Sequence, residues 1–99
     1  MNNCSISLQV LPNGVGKQKL FEIVDRVIEY IKSENVHFVV GPFDTTMEGD
    51  FDHLMRIVYQ AQKLSAELGG SGVFSNVKID YNPDGVWEIG EKIDKYDRS

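Results

Sequence analysis

The 99-residue chain carries 15 acidic and 10 basic residues, which gives a formal net charge of −5. A negative chain without a stripe of Lys and Arg side chains repels phosphate backbones, so we expect no nucleic-acid partner. An apolar share of 41% and a charged share of 25% are typical of a folded globular protein. Because 99 residues are too few to divide into two adequate cores, we expect one domain over residues 1–99.

The chain shows no sequence pattern of export or membrane insertion. Its apolar runs fall far short of the ~20 residues that cross a bilayer as a helix, and its first residues lack the basic and then apolar pattern of a signal peptide. The single cysteine, Cys4, permits neither an internal disulfide nor a site with several thiolate ligands. These features predict a cytoplasmic protein without membrane insertion.

The first half of the chain has the patterns of a strand, a helix and two further strands. Alternating polar and apolar residues over 4–11 predict a strand buried on one face, and turn-forming residues follow it. Residues 36–40 are β-branched and aromatic, which predicts a second strand, and a Gly-Pro pair separates it from a third strand over 43–48. Apolar residues at helical spacing predict an amphipathic helix over 17–33, with the stripe Leu20, Val24, Val27, Ile28 and Ile31.

The second half of the chain begins with the clearest helical pattern in the sequence. Asp50 is placed to cap this helix, and Gly69 and Gly70 are placed to end it. Residues 72–80 alternate again and predict a fourth strand. After a turn over 82–85, we expect a short, weak helix over 87–96. The stripe of the long helix consists of Phe51, Leu54, Met55, Val58, Ala61, Leu64 and Leu68.

The predicted order β-α-β-β-α-β is the split βαβ pattern of a ferredoxin-like α+β sandwich. It has a four-stranded antiparallel sheet with two helices on one face, a core over residues 4–80 and a tail over 81–99. The first and fourth strands should be neighbours, and the other sheet face should stay open. We place Ile6, Leu8, Val10, Val73, Val77 and Ile79 on the helix side, and Ser5, Ser7, Gln9, Phe74, Asn76 and Lys78 on the open side.

The open face is polar, and two interpretations of it stand. It is either a solvated sheet surface or a surface that recognises a polar heterocycle. The segment 41–50 concentrates hydroxyl and carboxylate groups. It does not form a calcium loop, because Met55 stands where such a loop has its final glutamate. Glu48 either belongs to a site or caps the second helix together with Asp50.

No set of residues has the spacing of a catalytic or metal centre. Cys4, His37 and His53 lack a third orienting group and an oxyanion element, and two histidines without a matching carboxylate make no zinc motif. The glycines at 14 and 16 precede Lys17 without the remaining residues of a phosphate-binding loop. We therefore predict no catalytic residue and no metal ligand.

Three segments, residues 5–14, 45–50 and 76–80, resemble the successive signatures of the UPF0045 thiamine-binding family. The resemblance covers residues 4–80. It implies a ferredoxin-like subunit that assembles as dimers or tetramers and binds thiamine or its hydroxymethylpyrimidine portion, without catalysis and with no cofactor besides this ligand. Combined with the strand phase, it places the ligand at Ser5, Ser7, Gln9, Thr45, Thr46, Glu48, Asn76 and Lys78.

This ligand suits the predicted side chains. An aminopyrimidine offers ring acceptors and an exocyclic donor, which Ser, Thr, Asn and Glu side chains can satisfy together. The resemblance places such a protein in thiamine salvage, buffering or transport. The alternative is a ligand-free structural or regulatory subunit that uses its open sheet face for self-association.

Overall fold

The chain folds into four strands and two helices in the predicted order β-α-β-β-α-β. The computed structural model describes residues 2–91 and residue 93. The elements are β1 (Cys4–Pro12), α1 (Lys17–Ser33), β2 (His37–Val40), β3 (Thr45–Gly49), α2 (Phe51–Gly69) and β4 (Val73–Tyr81).

The strands form one antiparallel sheet in the order β2-β3-β1-β4. β1 lies inside the sheet and pairs with β3 on one side and with β4 on the other, so the predicted contact between the first and last strands is confirmed. Both helices pack on one face of this sheet, and the structure is the predicted α+β ferredoxin-like sandwich.

The core lies between the sheet and the helices. Leu54 of α2 and Ile31 of α1 are fully buried, and burying a side chain of this size contributes about 1.5 to 3 kcal/mol. On α1, Ile23 is buried although the predicted stripe omitted it, whereas Leu20 and Ile28 are only half-buried. The core cluster consists of Cys4, Ile6, Leu8, Val10, Val27, Ile31, Met47, Leu54, Ile57 and Ala61.

Local capping groups fix the ends of the helices. The Asp50 carboxylate accepts a hydrogen bond from the backbone N–H of His53 at 3.1 Å, which confirms Asp50 as the N-cap of α2. Gly70 ends this helix with a φ of 67°, in the left-handed region that glycine adopts without steric cost. After α1, Asn35 adopts a φ of 57° and turns the chain toward β2.

The segment after β4, residues 82–91, folds back onto the sheet. The N–H of Asn82 donates to the carbonyl of Asn3 at 2.9 Å, and the N–H of Val86 donates to the carbonyl of Asn2 at 3.1 Å. Ile89 is only 7% exposed and begins a helical turn over 89–91. This C-terminal segment covers part of the face that the sequence left open. Residues 92 and 94–96 of the predicted short helix lie outside the described residues.

Candidate ligand-binding site

The sheet face opposite the helices carries rows of polar neighbours. Residues that are directly opposite in antiparallel strands point to the same face, so the strand register defines each row. We call this surface the polar face. Its rows are Asp80, Ser5, Glu48 and His37; Lys78, Ser7, Thr46 and Val39; and Asn76 and Gln9.

All predicted site residues except Thr45 lie on the polar face. Thr45 pairs with Leu8 and Val40, and its buried side chain points to the helix side. Because successive residues of a strand point to opposite faces, Thr45 and Thr46 cannot both face one ligand on the sheet. The structure therefore brings Thr46 together with Ser5, Ser7, Gln9, Glu48, Asn76 and Lys78, and it separates Thr45 from them.

The Glu48 carboxylate is buried and has a partner at each oxygen. Its side chain is only 4% exposed, the Nδ1–H of His37 donates to Oε1, and the backbone N–H of Ile89 donates to Oε2 at 2.7 Å. A buried carboxylate is tolerated when such partners replace water. Glu48 thus holds the C-terminal segment against the polar face and does not cap α2, where Asp50 has that role.

Asp44 is a site residue that the sequence did not identify. It lies between β2 and β3, where its carbonyl accepts the N–H of Gly41 at 2.7 Å, and its carboxylate accepts a hydrogen bond from the Ser7 hydroxyl. Ser7 and Asp44 are far apart in sequence, and only the strand register brings them together. The sequence alone therefore gives no indication of this pair. The pair adds a negative charge beside Ser7, in a row that also carries the Lys78 cation.

Four further polar groups lie on this face, and two of them are hydrogen-bonded to each other. The Asn76 amide donates to the Gln9 side-chain oxygen at 3.0 Å, directly across the β1–β4 ladder. Within residues 2–91 and 93, the Thr46 hydroxyl and the Lys78 ammonium have no side-chain hydrogen bond or ion pair. The polar face therefore offers a hydroxyl, a cation and a hydrogen-bonded carboxylate within one area.

A concave region lies on the helix side, beneath α1. It is a cavity of about 210 Å³ whose walls are mostly apolar, and Asp44 and Thr45 lie at its border. Phe43, which is 80% exposed, stands beside it. We call it the α1 cavity. Its apolar wall is formed by Leu8, Val10, Leu20, Val24, Val27, Ile28, Ile31 and Val40.

The titratable groups near the site give no sign of an activated nucleophile. Burial raises the pKa of the Cys4 thiol, and the nearby charges of Asp80 and Asp50 raise it further, so the reactive thiolate is disfavoured. Within the described part of the chain, no group of three or more His, Cys, Asp or Glu side chains is placed to hold a metal ion.

The sequence and the fold of this chain have counterparts in known proteins. The model of a family described as "Thiamine-binding protein" matches residues 6–97. The chain belongs to this thiamine-binding family. The match runs well past Asp80, where the sequence resemblance ended, so the C-terminal segment is part of the family pattern. The segment that supplies the partner of Glu48 is therefore a family feature.

Individual members of the thiamine-binding family agree in sequence and in fold. A UPF0045 protein of Clostridium perfringens is 50% identical over 96 residues, which cover 97% of this chain and 99% of that protein. A crystal structure from Streptococcus pneumoniae is 39% identical with a TM-score of 0.75 and covers 98% of this chain and 99% of that one. A candidate thiamine biosynthesis or salvage protein of Thermotoga maritima is 33% identical with a TM-score of 0.82, and the match covers 94% of this chain and 97% of that one.

Proposed function

We propose that this protein binds thiamine or its hydroxymethylpyrimidine precursor on the polar face and catalyses no reaction. The observation that carries the proposal is the Ser7–Asp44 pair beside the available Thr46 hydroxyl. An aminopyrimidine presents an exocyclic amine that donates to a side-chain oxygen and ring nitrogens to which a hydroxyl donates, and the carboxylate attracts the positive thiazolium ring of thiamine. The family description and the name of the Thermotoga maritima relative support this ligand class.

The charge distribution supports one orientation of the ligand. The thiazolium ring of thiamine carries a fixed positive charge, which the Asp44 carboxylate attracts and the Lys78 ammonium repels. The exposed ring of Phe43 stands next to Asp44 and can contact a cation through its π face. We therefore assign the thiazolium to the Asp44 end and the pyrimidine to the side of Thr46, Gln9 and Asn76. Lys78 would meet a phosphate if the ligand is phosphorylated.

In this proposal Glu48 shapes the site and does not contact the ligand. Both of its oxygens are already bound, one by His37 and one by Ile89. Direct contact with a pyrimidine would require the C-terminal segment to leave, which would break the hydrogen bond from the Ile89 N–H to this carboxylate, worth about 1.5 to 3 kcal/mol. Glu48 therefore fixes the border of the site through the C-terminal segment.

The biological role we propose is buffering, salvage or transport of the vitamin in the cytoplasm. The single thiol is buried and disfavoured as a thiolate, which suits a protein without redox chemistry. Neither helix of the described residues combines the length and apolar composition that a membrane crossing requires. A protein of this kind would hold its ligand for other proteins to use.

A matched pair of threonine variants tests the ligand site. We expect Thr46→Val to weaken thiamine binding about tenfold or more, because one hydrogen bond to a bound ligand is worth about 0.5 to 1.5 kcal/mol and its buried partner would be left unsatisfied. Thr45→Val makes the same change on the opposite face and should leave the affinity unchanged. Isothermal titration with thiamine, its phosphates and hydroxymethylpyrimidine measures both.

The pattern of results locates the ligand. Loss of affinity in Thr45→Val alone would place the ligand in the α1 cavity, and unchanged affinity in both variants would contradict the proposal. Thermal melts provide a second measurement, since a ligand at about 100 times its dissociation constant stabilises the fold by about 2.7 kcal/mol. Glucose, which has neither ring nitrogens nor a fixed charge, is the control ligand.

We also propose that the protein is a homo-oligomer. Exposed apolar side chains cluster on β4, at one edge of the sheet, where Ile79 and Tyr81 are each 47% exposed. Covering them would stabilise a domain of only 99 residues. A monomeric mass by light scattering at micromolar concentration would contradict this proposal. It would not affect the ligand proposal, which the threonine variants test separately.

A further inference from the structure

The turn between β1 and α1 contains an asparagine that is followed by a glycine, Asn13-Gly14. Both residues are exposed, and Gly14 adopts a φ of 68°, in the left-handed region. A Cβ atom added to Gly14 would meet no atom within 4 Å beyond its chain neighbours, so the space around this peptide is open. The turn can therefore rearrange locally without displacing a packed side chain.

The backbone N–H of Gly14 has no hydrogen-bond acceptor among residues 2–91 and 93. The N–H of Asn13 does have one, the carbonyl of Gly72 at 2.9 Å, whereas the Asn13 side-chain amide has no hydrogen bond within the same residues. A hydrogen-bonded peptide nitrogen must first lose its partner before it reacts, and an unbonded one need not. The Gly14 nitrogen and the Asn13 amide carbon can therefore approach each other in the folded state.

We propose that Asn13 is a site of spontaneous deamidation in the folded protein. The Gly14 nitrogen gives its proton to hydroxide and attacks Cγ of Asn13. A carbon–nitrogen bond forms, the bond from Cγ to the side-chain nitrogen breaks, and ammonia leaves after taking a proton from water. The result is a five-membered succinimide ring, whose formation is favoured because both reacting atoms belong to adjacent residues. Water then opens the ring, so the net reaction consumes water and releases ammonia, without oxidation or reduction.

The ring opens in two ways and gives two products. Attack of water at the Cγ carbonyl gives an ordinary aspartate, and attack at the main-chain carbonyl gives isoaspartate, in which the chain runs through the side-chain carbon. Both products carry a new carboxylate in the turn before α1. The N-cap of this helix, Gly16, supplies no side-chain acceptor, and its first turn has no acidic residue. The reaction therefore adds a negative charge near the positive end of the α1 dipole.

Other residues that could form such a ring lack one of these features. A second turn contains Asp84-Gly85, but its glycine N–H donates to the carbonyl of Asn82 at 2.9 Å and is held there. Asn35 also has a positive φ, but it precedes a valine, whose branched side chain crowds the attacking nitrogen. The structure therefore distinguishes Asn13 from the other turn that contains a glycine.

Peptide mapping in heavy-oxygen water tests the site. The wild-type protein is incubated in this water at mildly alkaline pH and then digested. We expect the peptide that contains residue 13 to gain labelled oxygen and to separate into an aspartate form and an isoaspartate form. A protein carboxyl methyltransferase, which methylates isoaspartate and not aspartate, quantifies the second form. The peptides that contain Asn35 and Asp84 should keep their original form over the same time.

Two variants separate the chemistry from the stability of the fold. Asn13→Gln lengthens the side chain and removes the five-membered ring, so it should slow the release of ammonia about tenfold or more. Asp50→Ala removes the cap of α2 and raises the unfolded fraction, but it should leave the rate at Asn13 unchanged, because the reaction does not require unfolding. In urea, the rate at Asn13 should stay within about tenfold of the native rate. Circular dichroism checks that each variant is folded.

Three results would overturn the proposal. If Asn13 stays intact in the folded protein but reacts in urea, the turn protects it. If the rate in Asp50→Ala rises in proportion to the unfolded fraction, only the unfolded chain reacts. If aspartate forms without isoaspartate, water attacks the side chain directly and no ring is involved. None of these measurements uses a ligand, so they are independent of the thiamine proposal.

Discussion

The two faces of β1 contain neighbouring residues in different surroundings. Ile6 and Leu8 point to the helices and are 0% and 3% exposed, within a cluster held by apolar contacts. Ser7, between them, points to the other face and donates to Asp44. Apolar contacts are numerous and have no strict direction, whereas a polar group depends on one or two specific partners. The contacts on the helix side therefore contribute most of the folding stability, whereas each contact on the polar face depends on one particular partner.

The largest expected effect is on the helix side. Leu54 is fully buried, so Leu54→Ala should leave a cavity and lower the free energy of unfolding by about 2 to 5 kcal/mol. Arg56→Ala, on the exposed side of the same helix, should change it by about 0.5 kcal/mol or less. Urea denaturation measures both. Equal effects would show that the contrast between core and surface of α2 is wrong.

The next effect is on the polar face. Glu48→Gln keeps the shape of the side chain but removes the charge that binds His37 and Ile89, and it should cost about 1 to 3 kcal/mol of stability. Hydrogen exchange at the Ile89 amide should become faster. Glu29→Gln, at an exposed ion pair with Arg26, is the control and should cost about 0 to 1 kcal/mol. Unchanged exchange at Ile89 would show that Glu48 does not hold the C-terminal segment.

A smaller effect is expected at the start of α2. Asp50→Ala removes the acceptor for the N–H of His53 and should cost about 0.5 to 2 kcal/mol. Asp25→Ala, in the exposed middle of α1, removes a carboxylate that caps nothing and serves as the control. If both substitutions cost the same in urea denaturation, the cap contributes nothing beyond a surface charge.

The smallest effect is a pH dependence that arises from Cys4. The folded state raises the pKa of this thiol above its ordinary value of 9.0, so folding favours the protonated form. The resulting stability is complete below pH 9.0 and falls as the pH rises through the folded-state pKa. The unfolding free energy of the wild type should therefore decrease relative to that of Cys4→Ala between about pH 8 and pH 11. A constant difference would contradict this.

The fold was predictable because its signals are local. The cap at Asp50, the terminator at Gly70 and the apolar stripe between them all lie within one helix, and period 2 placed Ile6 and Ser7 on opposite faces. The third strand begins at Thr45 and not at Phe43, because a turn closed between Gly41 and Asp44 precedes it.

The candidate site was only partly predictable because its contacts are distant in sequence. His37 reaches Glu48 through the β2–β3 register, and Ile89 reaches it from the far end of the chain. The hydrophobic alternation of one strand gives no information on which neighbour lies across the ladder. Thr45 was predicted as a site residue beside Thr46 because the segment was treated as a unit, although adjacent strand residues point to opposite faces.

The position of β1 inside the sheet sets the order in which the chain can fold as it is made. β1 is synthesised first, but its partners β3 and β4 end at Gly49 and Tyr81, so one edge of β1 stays unpaired until β3 has emerged and the other until β4 has. Until then the helices α1 and α2 and the pair of β2 with β3 can form from contacts that are local in sequence. The polar face closes last, when residue 89 arrives at Glu48, and a ribosome-bound chain therefore presents this face open before the finished protein partly covers it.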